Sequence, residues 1–250
     1  MKPALAIENL GVAFSGFKAV DGVTTRIKHG ELRVLLGANG AGKTTLMDLI
    51  SGKTRSTQGR VVLGDTDITN WSEHAIALAG VGRKFQIPTV FRELTVRQNL
   101  LVGSCRSRGV LPNIAFGFPS TVHDRVDEAL ETIGLSKNAD QVAATLSHGQ
   151  TQWLELGILV VQDPSILLLD EPTAGMTQAE TKKTAEIINT LKGQHTILVV
   201  EHDMAFVREI AEVVTVMHLG KVLAEGAIGD IEENPDVREA YLGSRRKHDA

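Results

Sequence analysis

Residues 37–44 read Gly-Ala-Asn-Gly-Ala-Gly-Lys-Thr, and that string restricts the chain to folds in which a strand, a glycine-rich turn and a helix follow one another directly. The flanks supply both neighbours. Leu32–Leu36 is a short apolar strand, and Thr45–Ile50 reads as a helix that stops at Gly52. Gly37, Gly40 and Gly42 let the backbone curl so tightly that successive N–H groups, those of Ala38, Asn39 and Ala41 among them, converge on an anion. The helix start at Thr45 adds unpaired donors and partial positive charge. Lys43 brings a full charge to the β- and γ-phosphates of a nucleotide, and the Thr44 hydroxyl is a ligand for Mg2+. Residues 37–45 are therefore expected to bind a nucleotide with Mg2+.

Bulk properties narrow the partners. With 250 residues the chain can bury a large core, as one domain or as two lobes. A net charge of −4 offers no general basic field, so no nucleic-acid partner is expected. No apolar run reaches the roughly 18 residues of a membrane helix. Met1–Glu8 lacks the apolar stretch of a secretion signal. The single cysteine, Cys105, excludes an intrachain disulfide and suits a reducing compartment. A soluble, cytosolic protein is expected.

Ala4–Glu8 and Val23–Lys28 alternate at period two, and Gly59–Gly64 is a further short strand. Together they predict an antiparallel layer beside the nucleotide-binding sheet. From about Pro88 to Val161 the pattern is helical. Val122, Val126, Ala129, Leu130 and Ile133 share one face, and Gly134 ends that helix. Gly103–Ser120, rich in Gly, Pro, Ser and Arg, reads as a loop or a poorly ordered insertion. Ile166–Leu169 and Thr196–Val200 are continuous apolar runs fit for a parallel sheet buried on both faces. A helix over about Gln178–Leu191 lies between them, and a second covers Met204–Ala211. Val213–Met217 and Lys221–Glu225 predict a hairpin turning near Gly220, and the basic tail from Ser244 reads as a solvated end. The expected fold is an α/β nucleotide-binding core with an antiparallel β subdomain, over residues 1–87 and 162–250. A helical subdomain, residues 88–161, is inserted into it.

Asp170 and Glu171 follow the apolar run from Ile166, and a carboxylate at the end of a parallel strand points into the crevice where ligands bind. Asp170 is expected in the Mg2+ shell, and Glu171 to orient or deprotonate the water that attacks the γ-phosphate. His202 ends the next strand and reaches the same edge, where it can bond the γ-phosphate and link it to Glu171. Gln86, at the switch from core to helical lobe, is placed to contact metal or water and to sense nucleotide. Ser147 is a predicted N-cap for the helix from Thr151. Its hydroxyl, the Gly149 N–H and the helix dipole also form a second candidate anion site, with Gln150 beside it. One chain then has two phosphate sites but one evident nucleotide pocket, a mismatch that a head-to-tail dimer resolves. Phe14 is the candidate to stack on adenine, with Phe17 as its rival.

In order along the chain, these motifs resemble the ATP-binding subunits of ABC transporters, from about Leu5 to Gly226. Gly37–Thr44 is similar to the first phosphate motif, Gln86 to the glutamine loop and Leu146–Gln150 to the signature sequence. Ile166–Asp170 is similar to the second nucleotide motif, Glu171 to the catalytic glutamate and His202 to the switch histidine. The resemblance implies a P-loop ATPase core and an ATP-sandwich dimer, made with a second copy or with a paralogous ATP-binding subunit. It also implies membrane permease subunits docked near Gln86, a periplasmic or extracellular solute-binding protein as an indirect partner, and a place on the inner face of the membrane. Within the family, the stretches 84–91, 147–155 and 171–177 are similar to the branched-chain amino-acid and urea uptake group, the urea branch in particular. His148 stands where glycine is usual, and Thr177 where an aspartate commonly lets the two sites communicate. A lipid or lipopolysaccharide exporter shares the same motifs, and a soluble ABC-type ATPase such as an iron–sulfur assembly factor is the rival from another class.

Overall fold

The computed structural model describes residues 2–84, 90–105 and 118–245, for the last five of these the backbone alone. Gln86, most of the predicted loop between Gly103 and Ser120, and the last five residues of the tail lie outside the described residues. In the described part of the tail, helix runs on to Arg245.

Among the described residues, two sheets and a set of helices make up the fold. A four-stranded antiparallel sheet takes β1 (Leu5–Phe14), β2 (Phe17–Ile27), β4 (Gln58–Leu63) and β5 (Thr66–Asp67), in the order β2-β1-β4-β5. A six-stranded sheet takes β3 (Leu32–Gly37), β6 (Val81–Lys84), β7 (Ile166–Asp170), β8 (Thr196–Val200), β9 (Val213–His218) and β10 (Lys221–Gly226), in the order β10-β9-β3-β8-β7-β6. All its pairings are parallel except the β9–β10 hairpin.

The continuous apolar strands have a simple cause. Successive side chains of a strand face opposite sides, and here each side has its own core. In β3, Leu32, Val34 and Leu36 join one cluster, while Leu35 joins the other. Leu167 and Leu169 part from Ile166 and Leu168, and Ile197 and Val199 from Leu198 and Val200, in the same way. The first cluster packs under α3 (Val96–Gly103), α4 (Ser120–Thr132), α5 (His148–Val160), α6 (Gln178–Leu191) and α7 (Met204–Ile210). The second is closed by α1 (Lys43–Ile50), α2 (Glu73–Leu78) and the inner face of the antiparallel sheet. Two more helices, α8 (Ile228–Glu233) and α9 (Pro235–Arg245), follow β10.

Register sets the functional edge. Val200 pairs with Leu35 on one side and with Asp170 on the other, so the strand ends carrying Gly37, Asp170 and His202 come out together. β6 ends alongside, with Lys84 opposite Leu169. No described helix is long and apolar enough to cross a membrane.

Candidate nucleotide site

α1 begins on Gly42 at φ 101°, with no side-chain cap on its first N–H groups. That left-handed backbone suits glycine alone, and space demands it too. A Cβ at Gly42 would overlap the Ala19 carbonyl oxygen, and one at Gly37 would come within 2.6 Å of the Met217 carbonyl oxygen. The phosphate loop is thus moulded against β2 and β9. A cleft of about 230 Å³ opens over it, lined by Phe17, Ala19, residues 39–45 and Glu171. Lys43 is buried, and its ammonium donates to the Gly37 and Ala38 carbonyls at 2.7 and 3.1 Å. Burial pulls its pKa down, opposed by the charges of Glu171 and Asp170. A buried cation facing a loop of N–H groups favours a polyanion as ligand.

Asp170 is 3% exposed. Its Oδ2 lies 3.7 Å from Arg83 Nη2, and its Oδ1 is buried with no hydrogen-bond partner among the described residues. Burial pushes its pKa up, and Arg83 opposes that. A buried carboxylate oxygen without a donor, next to a phosphate loop with a threonine hydroxyl, fits a hard cation such as Mg2+. Arg83 is tied in turn to α1, with Nη1 2.7 Å from Asp48 Oδ1 and 2.6 Å from Ser51 Oγ.

Glu171 follows in a left-handed conformation, φ 46°, uncommon for a residue with a side chain. Its N–H donates to the Val200 carbonyl at 2.9 Å. His202 Nδ1 stands 3.6 Å from Glu171 Oε1. Buried Glu201 holds this turn in shape. Its Oε1 accepts from the Thr173 hydroxyl at 2.7 Å and its Oε2 from the His202 N–H at 3.1 Å. The site therefore brings together Gly37, Ala38, Asn39, Gly40, Ala41, Gly42, Lys43, Thr44, Thr45, Asp170, Glu171 and His202.

Other expected residues lie apart from it. Phe14 pairs with Phe17 across the β1–β2 turn, yet only Phe17 lines the cleft; both rings are exposed. Ser147, Gly149 and Gln150 are not among the lining residues. Ser147 is an N-cap as expected, but α5 starts at His148 rather than Thr151, and the cap is a reciprocal box with Gln150 in the first turn. The Ser147 hydroxyl accepts from the Gln150 N–H at 3.2 Å, and the Gln150 side-chain oxygen accepts from the Ser147 N–H at 3.0 Å.

Comparison with known proteins decides the family. The ABC transporter family profile matches residues 20–174, more than half of the chain. The chain belongs to the ABC transporter family. It is 39% identical to the high-affinity branched-chain amino acid transport ATP-binding protein LivG of Salmonella typhimurium, over 97% of this chain and 98% of that one. The corresponding protein BraF of Pseudomonas aeruginosa is 36% identical, again over 97% and 98%. The crystal structure of the ADP conformation of MJ1267, an ATP-binding cassette of an ABC transporter, superposes with a TM-score of 0.85 at 31% identity, covering 97% of this chain and 99% of that one. The expected ABC ATPase fold is therefore present, and the chain is an ATP-binding ABC ATPase.

Sequence reasoning passed over Arg83 and Glu201. Both are charged residues inside or beside short buried strands, where pattern alone gives a side chain no partner. Phe17 over Phe14 depends on how the turn at Ser15-Gly16 aims two rings.

Proposed function

We propose that this chain is the ATP-hydrolysing subunit of an importer of branched-chain amino acids. It works as a dimer with a second ATP-binding subunit, under membrane permease subunits that hold it to the inner face of the membrane. A solute-binding protein on the far side delivers the cargo. The relatives carry this reading: the named proteins are branched-chain amino acid transport ATP-binding proteins that match nearly end to end. Urea, favoured by the stretches 84–91, 147–155 and 171–177, finds no support in those relatives. The exporter and the soluble ATPase are not favoured by them either.

The geometry supports a division of labour. The N–H groups of residues 37–45 and the Lys43 ammonium hold the β- and γ-phosphates, and Phe17 offers its exposed ring to the adenine. Thr44 and Asp170 Oδ1 would hold Mg2+, and the family resemblance, not the geometry, adds Gln86 to them. Bound there, Mg2+ would neutralise charge on the phosphate oxygens. Glu171 accepts a proton from the attacking water, and His202 orients the γ-phosphate and that carboxylate. Ser147 and Gly149 face the γ-phosphate of the partner's nucleotide.

The test is uptake of labelled leucine and labelled urea by cells lacking the gene, complemented with wild type or Glu171→Gln. Leucine uptake restored by wild type alone is the expected result. Urea uptake restored instead would move the substrate, and no dependence of either flux on the chain would overturn the importer.

A further inference from the structure

The N-terminus of α5 already carries an anion. Glu180, in the first turn of α6, reaches back across the gap between the two helices. Its Oε2 accepts from the Thr177 N–H at 3.0 Å and from the Thr177 hydroxyl at 2.9 Å, completing the cap of α6. Its Oε1 receives the Ser147 hydroxyl at 3.4 Å and lies so close over Gly149 that a Cβ there would overlap it. Hydrogen bonds from Thr177, and then from Ser147 and Gly149, hold this carboxyl below the usual carboxylate range. A second tie runs beside the first, from His148 Nε2 to the Ala174 carbonyl oxygen at 3.1 Å.

We propose that Glu180 is a resident competitor for the phosphate site on α5. It takes the Ser147 hydroxyl and lies close over Gly149, the groups assigned above to the partner's γ-phosphate, and must leave them when that phosphate arrives. The inference rests on that assignment and adds a brake to it. Two negative groups cannot share one pair of donors, so ATP-driven closure works against a charge built into the chain. Release of Oε1 leaves Oε2 on Thr177, at the far end of the loop that starts with Glu171. Phosphate arrival at α5 thereby changes the contacts at one end of the loop that leads back to Glu171.

A plain capping role is separable from this one, because glutamine at the same place completes a capping box as well as glutamate does. The experiment takes the full chain with Glu171→Gln, which holds ATP without consuming it, and follows ATP-driven dimer formation by sedimentation. Adding Glu180→Gln should lower the ATP concentration at half-dimerisation about threefold or more. The ATP affinity of dilute monomers should stay unchanged, the melting temperature should fall slightly with the loss of a charge at a helix start, and the shift in midpoint should shrink in high salt. Glu180→Asp, which keeps a charge near Thr177 but withdraws from Ser147, should move the midpoint the same way. A midpoint that stays or rises in both variants overturns the proposal while leaving the phosphate assignment standing. If the Glu171→Gln chain binds ATP yet never dimerises with it, the assignment of α5 fails and the brake falls with it.

Discussion

Two helix starts carry the proposed phosphate chemistry, and they are built in opposite ways. α1 opens on a left-handed glycine, with no side-chain cap and no acidic residue in its first turn. α5 opens on Ser147, with a reciprocal cap from Gln150 and the Glu180 carboxylate laid over its first residues. A start without side-chain acceptors keeps its N–H groups for a ligand, whereas a capped one has already satisfied them. The first can bind a nucleotide in a single chain. On our proposal the second takes phosphate only by displacing the Glu180 carboxylate, so its engagement can be made conditional on a second chain. The difference separates holding ATP from closing on it.

Substitutions can break that comparison, and the largest effect belongs to the α1 side. Glu171→Gln should cut turnover about a hundredfold or more while the cleft still binds ATP; a loss under tenfold in steady-state assays would remove Glu171 as the base. Next, Lys43→Ala should weaken ATP binding by about ten- to a hundredfold, the worth of charge-assisted bonds. Ser147→Ala should leave the monomer's affinity unaltered, and titration calorimetry showing equal losses from both would erase the contrast. Gly42→Ala puts a side chain into a left-handed backbone and against Ala19. Denaturant unfolding should register a loss of about 1–2 kcal/mol. The smallest effect is the most discriminating. Ser147→Ala should lower stability by about 1 kcal/mol and Ser147→Gly by only a few tenths, yet both should depress ATPase activity equally. Activity that tracked stability would reduce Ser147 to a helix cap.

What could be read from sequence was whatever is local. The phosphate loop announces itself because its function is performed by consecutive backbone groups. Asp170 and Glu171 are legible because an apolar run ends on them, and the helix over Gln178–Leu191 because both its face and its cap are sequential. β6 was hidden by Arg83 and Lys84, which a hydrophobic pattern assigns to the surface. Both are buried, Arg83 among Asp48, Ser51 and Asp170, and Lys84 with Nζ 3.7 Å from Glu155 on α5. Charges enter a core only with such partners, and those partners are remote in sequence. Glu180 was invisible for the same reason: its cap on Thr177 is local, but its reach to Ser147 exists only once α5 and α6 are folded side by side.

The central claim is that one nucleotide is held between the open helix start of one chain and the capped helix start of another. Sedimentation of the Glu171→Gln chain with and without ATP, beside the same chain carrying Ser147→Arg, tests it most directly. The account predicts an ATP-dependent dimer for the first and a monomer for the second, with equal ATP affinity in the two. A Ser147→Arg chain that dimerises as readily, or a Glu171→Gln chain that stays monomeric with ATP bound, would contradict it.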